Sequence, residues 1–160
     1  MAIARVSIQT ADFDLSAQTA ALRAGDPGVG AVAAFVGTVR DRNEGVGVGS
    51  MELEHYPGMT EKAIEAMIDD ALFRFDIRDV RVIHRVGVLQ PQDQIVMVAV
   101  SSAHRADAFQ ACEFLMDYLK TQAPFWKKEH TSEGARWVDA RVSDDDALAR
   151  WGVVGANAAA

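Results

Sequence analysis

Cysteine is almost missing from this chain. A single residue, Cys112, in 160 positions leaves no partner for an internal disulfide, which excludes the small secreted scaffolds stapled by such bridges and fits a reducing compartment. Long apolar runs are also lacking. None approaches the ~20 residues needed to span a bilayer, and the opening MAIARVSIQTADFD has no continuous apolar segment of the kind a secretory leader carries. Positive charge is in deficit: 16 basic against 23 acidic residues give a net charge of -7. That balance works against nonspecific nucleic-acid binding, whose affinity comes mainly from neutralising phosphates, so any anion site has to be local. The four histidines, at 55, 84, 104 and 130, lack metal-ligand spacing, and one cysteine does not complete a zinc site with them. No phosphate-binding loop, nucleophile elbow, internal repeat or low-complexity tract is present. The expectation is a cytoplasmic protein that uses neither metal nor cofactor.

What is there suffices for one domain with a core. A chain of this size, 49% hydrophobic, buries roughly 68 to 70% of its unfolded surface. ARVSIQ (4-9) reads as a strand, and LSAQTAALRAG as a short helix with Asp14 as N-cap and Gly25 as stop. VGAVAAFVGTVR (29-40) reads as a long, largely buried strand ending in Arg40. A dinucleotide-type phosphate loop needs a helix after its glycines. Here GVGVG is followed by another strand, SMELEHY, so the glycines read as a mobile hairpin loop. TEKAIEAMIDDALFRF (60-75) carries Ala63, Ile64, Met67, Ile68, Ala71, Leu72 and Phe75 at helical spacing. DVRVIHRVG alternates as a half-buried strand, with His84 a satisfied core histidine. QIVMVAVS is a strand, and SAHRADAFQACEFLMDYLKTQA a second long helix, capped by Ser102 and closed by Pro124. FWKKEH, TSEG and ARWVDAR read as strand, turn and strand, and SDDDALARW as a last helix with Ser143 and Asp146 in a capping box. One domain over 1-151 with a frayed tail over 152-160 is expected, in an α+β or mixed α/β class.

The stretch KTQAPFWKKEH (120-130) crowds Lys120, Lys127 and Lys128 around a proline and two aromatics. It is either a solvated loop or half of a site. Phe109, Glu113, Met116 and Lys120 follow one another at helical offsets, and strand alternation puts Phe125, Lys127 and Glu129 opposite Trp126, Lys128 and His130. Lys120 and Lys127 then converge on one pocket while Lys128 faces elsewhere. Two neighbouring ammonium groups, partly desolvated by Phe125 and Met116, lower each other's proton affinity, and Glu129 can orient one of them. At the helix start, His104 and Arg105 are cations placed where the helix dipole favours anions. They read either as part of an oxyanion clamp or as partners of surface acids such as Asp107. Cys112, mid-helix beside Phe109 and Leu115, reads as packing.

With these residues in view, the sequence resembles the large, catalytic subunit of molybdopterin synthase, from molybdenum cofactor biosynthesis. The matching blocks are GAVAAFVGTVRDRN, LEHYPGMTEKA, VIHRVGVLQP, VAVSSAHRADAF, MDYLKTQAPFWKKE and RWVDAR, from about Gly30 to Arg141. The resemblance implies a hammerhead-like α/β fold with an added antiparallel β subdomain. It also implies a homodimer flanked, in a heterotetramer, by two small ubiquitin-like sulfur carriers whose Gly-Gly tails end in a thiocarboxylate. Sulfur passes twice from that tail to cyclic pyranopterin monophosphate (precursor Z), giving the dithiolene of molybdopterin. On the same resemblance Lys120 and Lys127 are the catalytic lysines, and Arg40, His104 and Arg105 bind the substrate phosphate. Arg141 corresponds to an arginine delivered by the neighbouring subunit, and Phe35, Met116 and Glu129 to pocket positions. The sulfur arrives with the partner, so no reactive cysteine is needed, and the terminal NAAA is not a carrier tail. The first 27 residues carry none of these motifs, and Gln92 stands where many relatives have glycine. Rival readings are a noncatalytic adaptor that grips a ubiquitin-like tail, and a single-stranded RNA binder using Phe125, Trp126 and the lysines.

Overall fold

Alternating apolar strands here must bury two faces, and the helices supply the cover. The computed structural model describes residues 4-43, 46-138 and 142-153. A four-stranded sheet has the order β1 (Val6–Gln9), β5 (Asp79–Arg85), β7 (Gln94–Ser102), β2 (Ala31–Thr38). Its β1–β5 pair is parallel, and β5–β7 and β7–β2 are antiparallel. α2 (Met59–Arg74) and α3 (Arg105–Gln122) pack on one face, where Ile64, Met67, Ile68, Phe114 and Leu115 meet Val80, Val82, Val96, Val98 and Val100. α1 (Leu15–Arg23) covers the other, with Phe13 and Leu22 against Ile83, Met97 and Ala99. β5 is therefore buried on both faces rather than half-buried. Its even and odd positions serve different cores.

A second, antiparallel layer has the order β3 (Arg42–Asn43), β4 (Val46–His55), β8 (Phe125–Thr131), β9 (Gly134–Val138), with β6 (Gly87–Leu89) also paired to β4. Val39, Met51, Leu53 and Leu89 form a small core there, against which Ile95 of β7 packs. α4 (Val142–Ala149) lies on α3, and Trp151 after it sets its ring edge-on to Phe75 and Phe114, at 5.7 and 5.6 Å. No helix among the described residues is long and apolar enough to cross a membrane.

Several expectations change. Among the described residues β2 is an edge strand, paired only with β7, and its Phe35 is 40% exposed, so it is not largely buried. Most of GVGVG is strand, because β4 extends back to Val46 and pairs with β3 across a hairpin. Ser102 is not the cap of α3: it ends β7, and the helix begins at Arg105 with His104 in the cap position. The Ser102 hydroxyl still accepts the His104 N–H at 3.2 Å while donating to the Asp76 carbonyl at 2.8 Å. Ser143 falls inside α4 rather than at its cap. Gly30 is needed where β2 starts, since a Cβ there would lie 2.3 Å from the Ala103 carbonyl oxygen on the approach to α3. Asp14 caps α1 as expected, accepting the Ala17 N–H at 3.1 Å. Of the tail, 154-160 lies outside the described residues.

Candidate active site

α3 ends because Pro124 forbids the helical conformation in the residue before it, and the chain turns directly into β8. The junction is held by Thr60, fully buried, whose hydroxyl donates to the Pro124 carbonyl at 3.0 Å and accepts the Tyr56 N–H at 3.0 Å. Phe125 is thereby fixed, and its ring stacks on His84 with centroids 3.8 Å apart. From that anchor, alternation along β8 turns Lys127 and Glu129 to the same side as Phe125. Trp126 and Lys128 face outward, the latter with its ammonium 5.6 Å from the centre of the Trp137 ring.

These side chains bound a cleft of about 590 Å³ between the two layers. Its wall includes Lys120 from the end of α3, Lys127 and Glu129 from β8, Arg40 after β2, Phe35 from β2, and Met116 from α3. Six of the nine residues proposed from sequence thus share one hollow. Lys120 and Arg40 are exposed, with no hydrogen-bond or ion-pair partner among the described residues, while Lys127 is half-buried. Glu129 is only 3% exposed and accepts from Asn43 Nδ2 at 2.9 Å and from an Arg136 guanidinium nitrogen at 3.3 Å. Arg136 also donates to the Asn43 carbonyl, at 3.2 Å. A cleft with two amines, guanidinium groups and one restrained carboxylate suits a ligand with more than one negative group.

Of the other three, two are not in it. His104 and Arg105 are exposed at the opposite end of α3, with no side-chain partner among the described residues, so the pairing with Asp107 is not formed. Fifteen residues separate Arg105 from Lys120 on α3, which puts them about 22 Å apart along the axis at 1.5 Å per residue. Arg141 lies outside the described residues. Conversely, Arg42, Asn43 and His84 line the cleft without having been singled out. Arg42 stands two residues after Arg40, a strand-period spacing that could have signalled it. For His84 no such signal exists, because its position depends on Phe125 from a distant strand.

Burial, reinforced by the nearby Lys120 charge, pushes the His84 imidazole down to about 4 despite its bond to the Arg85 carbonyl, so the ring is neutral near pH 7. Burial also pushes the Cys112 thiol up to about 11, and its Sγ lies 3.6 Å from the Val98 carbonyl oxygen, as a packed and unreactive thiol should. A smaller cavity of about 280 Å³ lies between α1 and the start of β5. Its cations are engaged: Arg78 with Asp26 at 2.6 Å, and Arg81 with Gln18 and the Ala4 carbonyl. Among the described residues no group of three or more His, Cys, Asp and Glu could hold a metal. The RNA reading loses its stacking platform, since Phe125 is covered by His84 while Trp126 is on the other side of the sheet.

Residues 8-122 match the family model described as MoaE protein. The chain belongs to the MoaE protein family. That model ends short of β8, but similarity to individual relatives continues through it. The molybdopterin synthase catalytic subunit of Ralstonia nicotianae is 66% identical over 155 residues, covering 97% of this chain and 88% of the relative. The same-named subunit of Vibrio cholerae is 56% identical, over 92% of this chain and 97% of the relative. Among solved structures, the molybdopterin biosynthesis MoaE protein of Burkholderia ambifaria superposes with a TM-score of 0.81 at 63% identity, covering 94% of this chain and 99% of that one. Molybdopterin synthase of Staphylococcus aureus gives 0.78 at 30% identity, over 86% and 98%. The MoaE fold therefore accounts for both layers, and the cleft lies between them.

Proposed function

We propose that this chain is the catalytic subunit of a molybdopterin synthase. It converts cyclic pyranopterin monophosphate to molybdopterin with two sulfurs taken from the C-terminal thiocarboxylate of a small ubiquitin-like partner. The observation that carries the reading is the convergence of Lys120, Lys127 and Arg40 on one cleft of about 590 Å³ in a protein of net charge -7. Both proposed reactants are anionic, and cations fixed in a partly dry hollow stabilise charge that moves between them. Relatives named as catalytic subunits support the existence of a companion chain.

In this mechanism Lys120 holds and polarises the thiocarboxylate, and Lys127 assists proton transfer or stabilises charge at the substrate. Arg40 takes the phosphate. Glu129, restrained by Asn43 and Arg136, keeps a fixed negative charge in the wall near Lys127. Each transfer leaves the partner's tail as a carboxylate once water has replaced the sulfur. His104 and Arg105 are too far along α3 to serve the cleft of their own chain, so a second copy delivers them, and Arg141 with them, in a homodimer within a heterotetramer. A cytoplasmic setting accords with the lone, buried thiol.

The test is reconstitution. The protein is mixed with thiocarboxylated partner and pyranopterin monophosphate, and dithiolene product is measured. Product forms with the wild type, and Lys120→Ala lowers its rate by 100-fold or more, on the order of 3 kcal/mol of lost transition-state stabilisation, with an unchanged melting temperature. A complex that assembles but makes no product would favour the adaptor, and near-normal turnover by Lys120→Ala would remove that lysine from the mechanism.

A further inference from the structure

Several polar side chains of the cleft, His84 among them, have no role in the mechanism above. His84 is 8% exposed and lines the cleft. Its Nδ1 lies 2.8 Å from the Arg85 carbonyl oxygen, which can only accept, so Nδ1 carries the proton. In the neutral ring Nε2 is then a bare lone pair. Phe125 covers a ring face at an interplanar angle of 19°, leaving the ring edge as the route to the cleft. Nε2 has no hydrogen-bond partner among the described residues, yet it is not among the sealed, unsatisfied atoms of the core. It opens to the hollow.

The surrounding charges make this nitrogen unusual. Lys120 of α3, Lys127 of β8, Arg40 and Arg42 are donors only. His55 of β4 is the other titratable group close enough to act on the ring, and the neighbouring Arg85 is occupied by the Thr10 and Gln94 carbonyls at 3.1 and 2.9 Å. Of the carboxylate in the described wall, Glu129, Oε1 accepts from both Asn43 and Arg136. A ligand's anionic groups thus have several donors to choose from, whereas its ring N–H groups meet few side-chain acceptors among the described residues; beside the Thr38 hydroxyl, which can also donate, and the charged Glu129, the His84 Nε2 is a neutral one that cannot switch to donating.

We propose that His84 is a specificity-determining residue of the cleft, its Nε2 accepting a hydrogen bond from an N–H or O–H donor on the ring system of the bound substrate. This rests on the reading of the cleft as a pyranopterin site. The cations then hold the phosphate and thiocarboxylate, and His84 selects the heterocycle. A ring that presents an acceptor at the same point sets two lone pairs against each other in a buried place and is rejected.

Three measurements test it. In His84→Asn the amide can still donate to the Arg85 carbonyl but does not reach the Nε2 position, whereas His84→Gln returns an acceptor there. His84→Asn is expected to raise KM and the calorimetric Kd for pyranopterin monophosphate about 10-fold, the size of one buried hydrogen bond. Affinity for inorganic phosphate and kcat at saturation change less than about two-fold, and His84→Gln recovers most of the loss, as expected for a lost acceptor. Wild-type affinity in a folded His84→Asn protein, or no recovery in His84→Gln, overturns the assignment. Should either variant fail to fold, long-range proton–nitrogen NMR of the wild type decides. The Nε2 resonance lies in the unprotonated region and moves upfield on adding pyranopterin monophosphate, and an unmoved resonance under saturation overturns the assignment. If the wild type neither binds nor converts the pyranopterin, the functional reading falls together with this one; if it does both, only the His84 assignment is at stake.

Discussion

His84 is neutral because its ring sits between the sheet and Phe125, and charging it there would cost the folded state. The sign follows from its depressed proton affinity, about 4 against an ordinary 6.5. Above pH 6.5 both folded and unfolded chains carry it neutral, and its contribution to stability is complete. Between 6.5 and 4 the unfolded chain binds the extra proton, so stability falls with pH by roughly 3 kcal/mol across the window. Urea midpoints at pH 7.5 and 4.5 should show a smaller acid loss in His84→Gln than in the wild type. Gln92 makes a second prediction at this scale. Its φ of 79° is in the left-handed region, where a residue with a Cβ pays about 1–2 kcal/mol, and its N–H donates to the Val39 carbonyl at 2.8 Å. Gln92→Gly relieves that strain but gains unfolded-state freedom, so the net is about 0.5–1 kcal/mol of stabilisation and a melting temperature higher by roughly 1–4 °C.

At the scale of elements, α3 is both scaffold and delivery arm. Its buried face, from Ala108 through Ala111, Phe114 and Leu115 to Leu119, sets the helix on the sheet, and the position of Lys120 follows from that packing. The segment after α4 clamps the same helix from outside: the Trp151 indole N–H donates to Asp117 at 2.8 Å, and its ring meets Phe75 and Phe114 edge-on. Trp151→Ala should cost about 2–4 kcal/mol in chemical denaturation. Because the loss is in the clamp and not in the cleft, the KM for pyranopterin of the folded fraction should stay within about two-fold of the wild type. A large KM change at unchanged stability would contradict this division of labour.

For the whole molecule, the separation of Arg105 from Lys120 along one rigid helix is the decisive constraint. If a second copy supplies His104 and Arg105, then Lys120→Ala and the double variant His104→Ala, Arg105→Ala are each inactive alone and complement each other when mixed. Random reassortment of equal amounts makes half the dimers hybrid, each with one intact cleft, so activity should return to roughly a quarter of the wild-type value. Failure to recover activity after verified subunit exchange would mean that the two cations do not act in the neighbouring cleft.

Helical spacing and strand alternation were enough to read most elements of the chain, and to place Lys120 with Lys127 and Glu129 while sending Lys128 to the other side. Those are local properties, dictated by periods of 3.6 and 2 that any short window reveals. Where the reading went astray, a neighbour distant in sequence was responsible. β5 looked half-buried because α1 could not be seen to cover its second face; GVGVG looked like a loop because its pairing with β8, far along the chain, was not local; β2 looked buried because its place at the edge depends on sheet order. The same holds for the site. The place of Asn43 and the opening of His84 onto the cleft were decided only when the two layers met, whereas the distance of His104 and Arg105 from Lys120 follows from the length of α3 alone. The sequence by itself determined which side chains share a face of a helix or strand, since backbone geometry sets that within a few residues. Which faces share a cavity was left to the tertiary structure, because that choice is made by the burial of apolar surface among segments far apart in the chain.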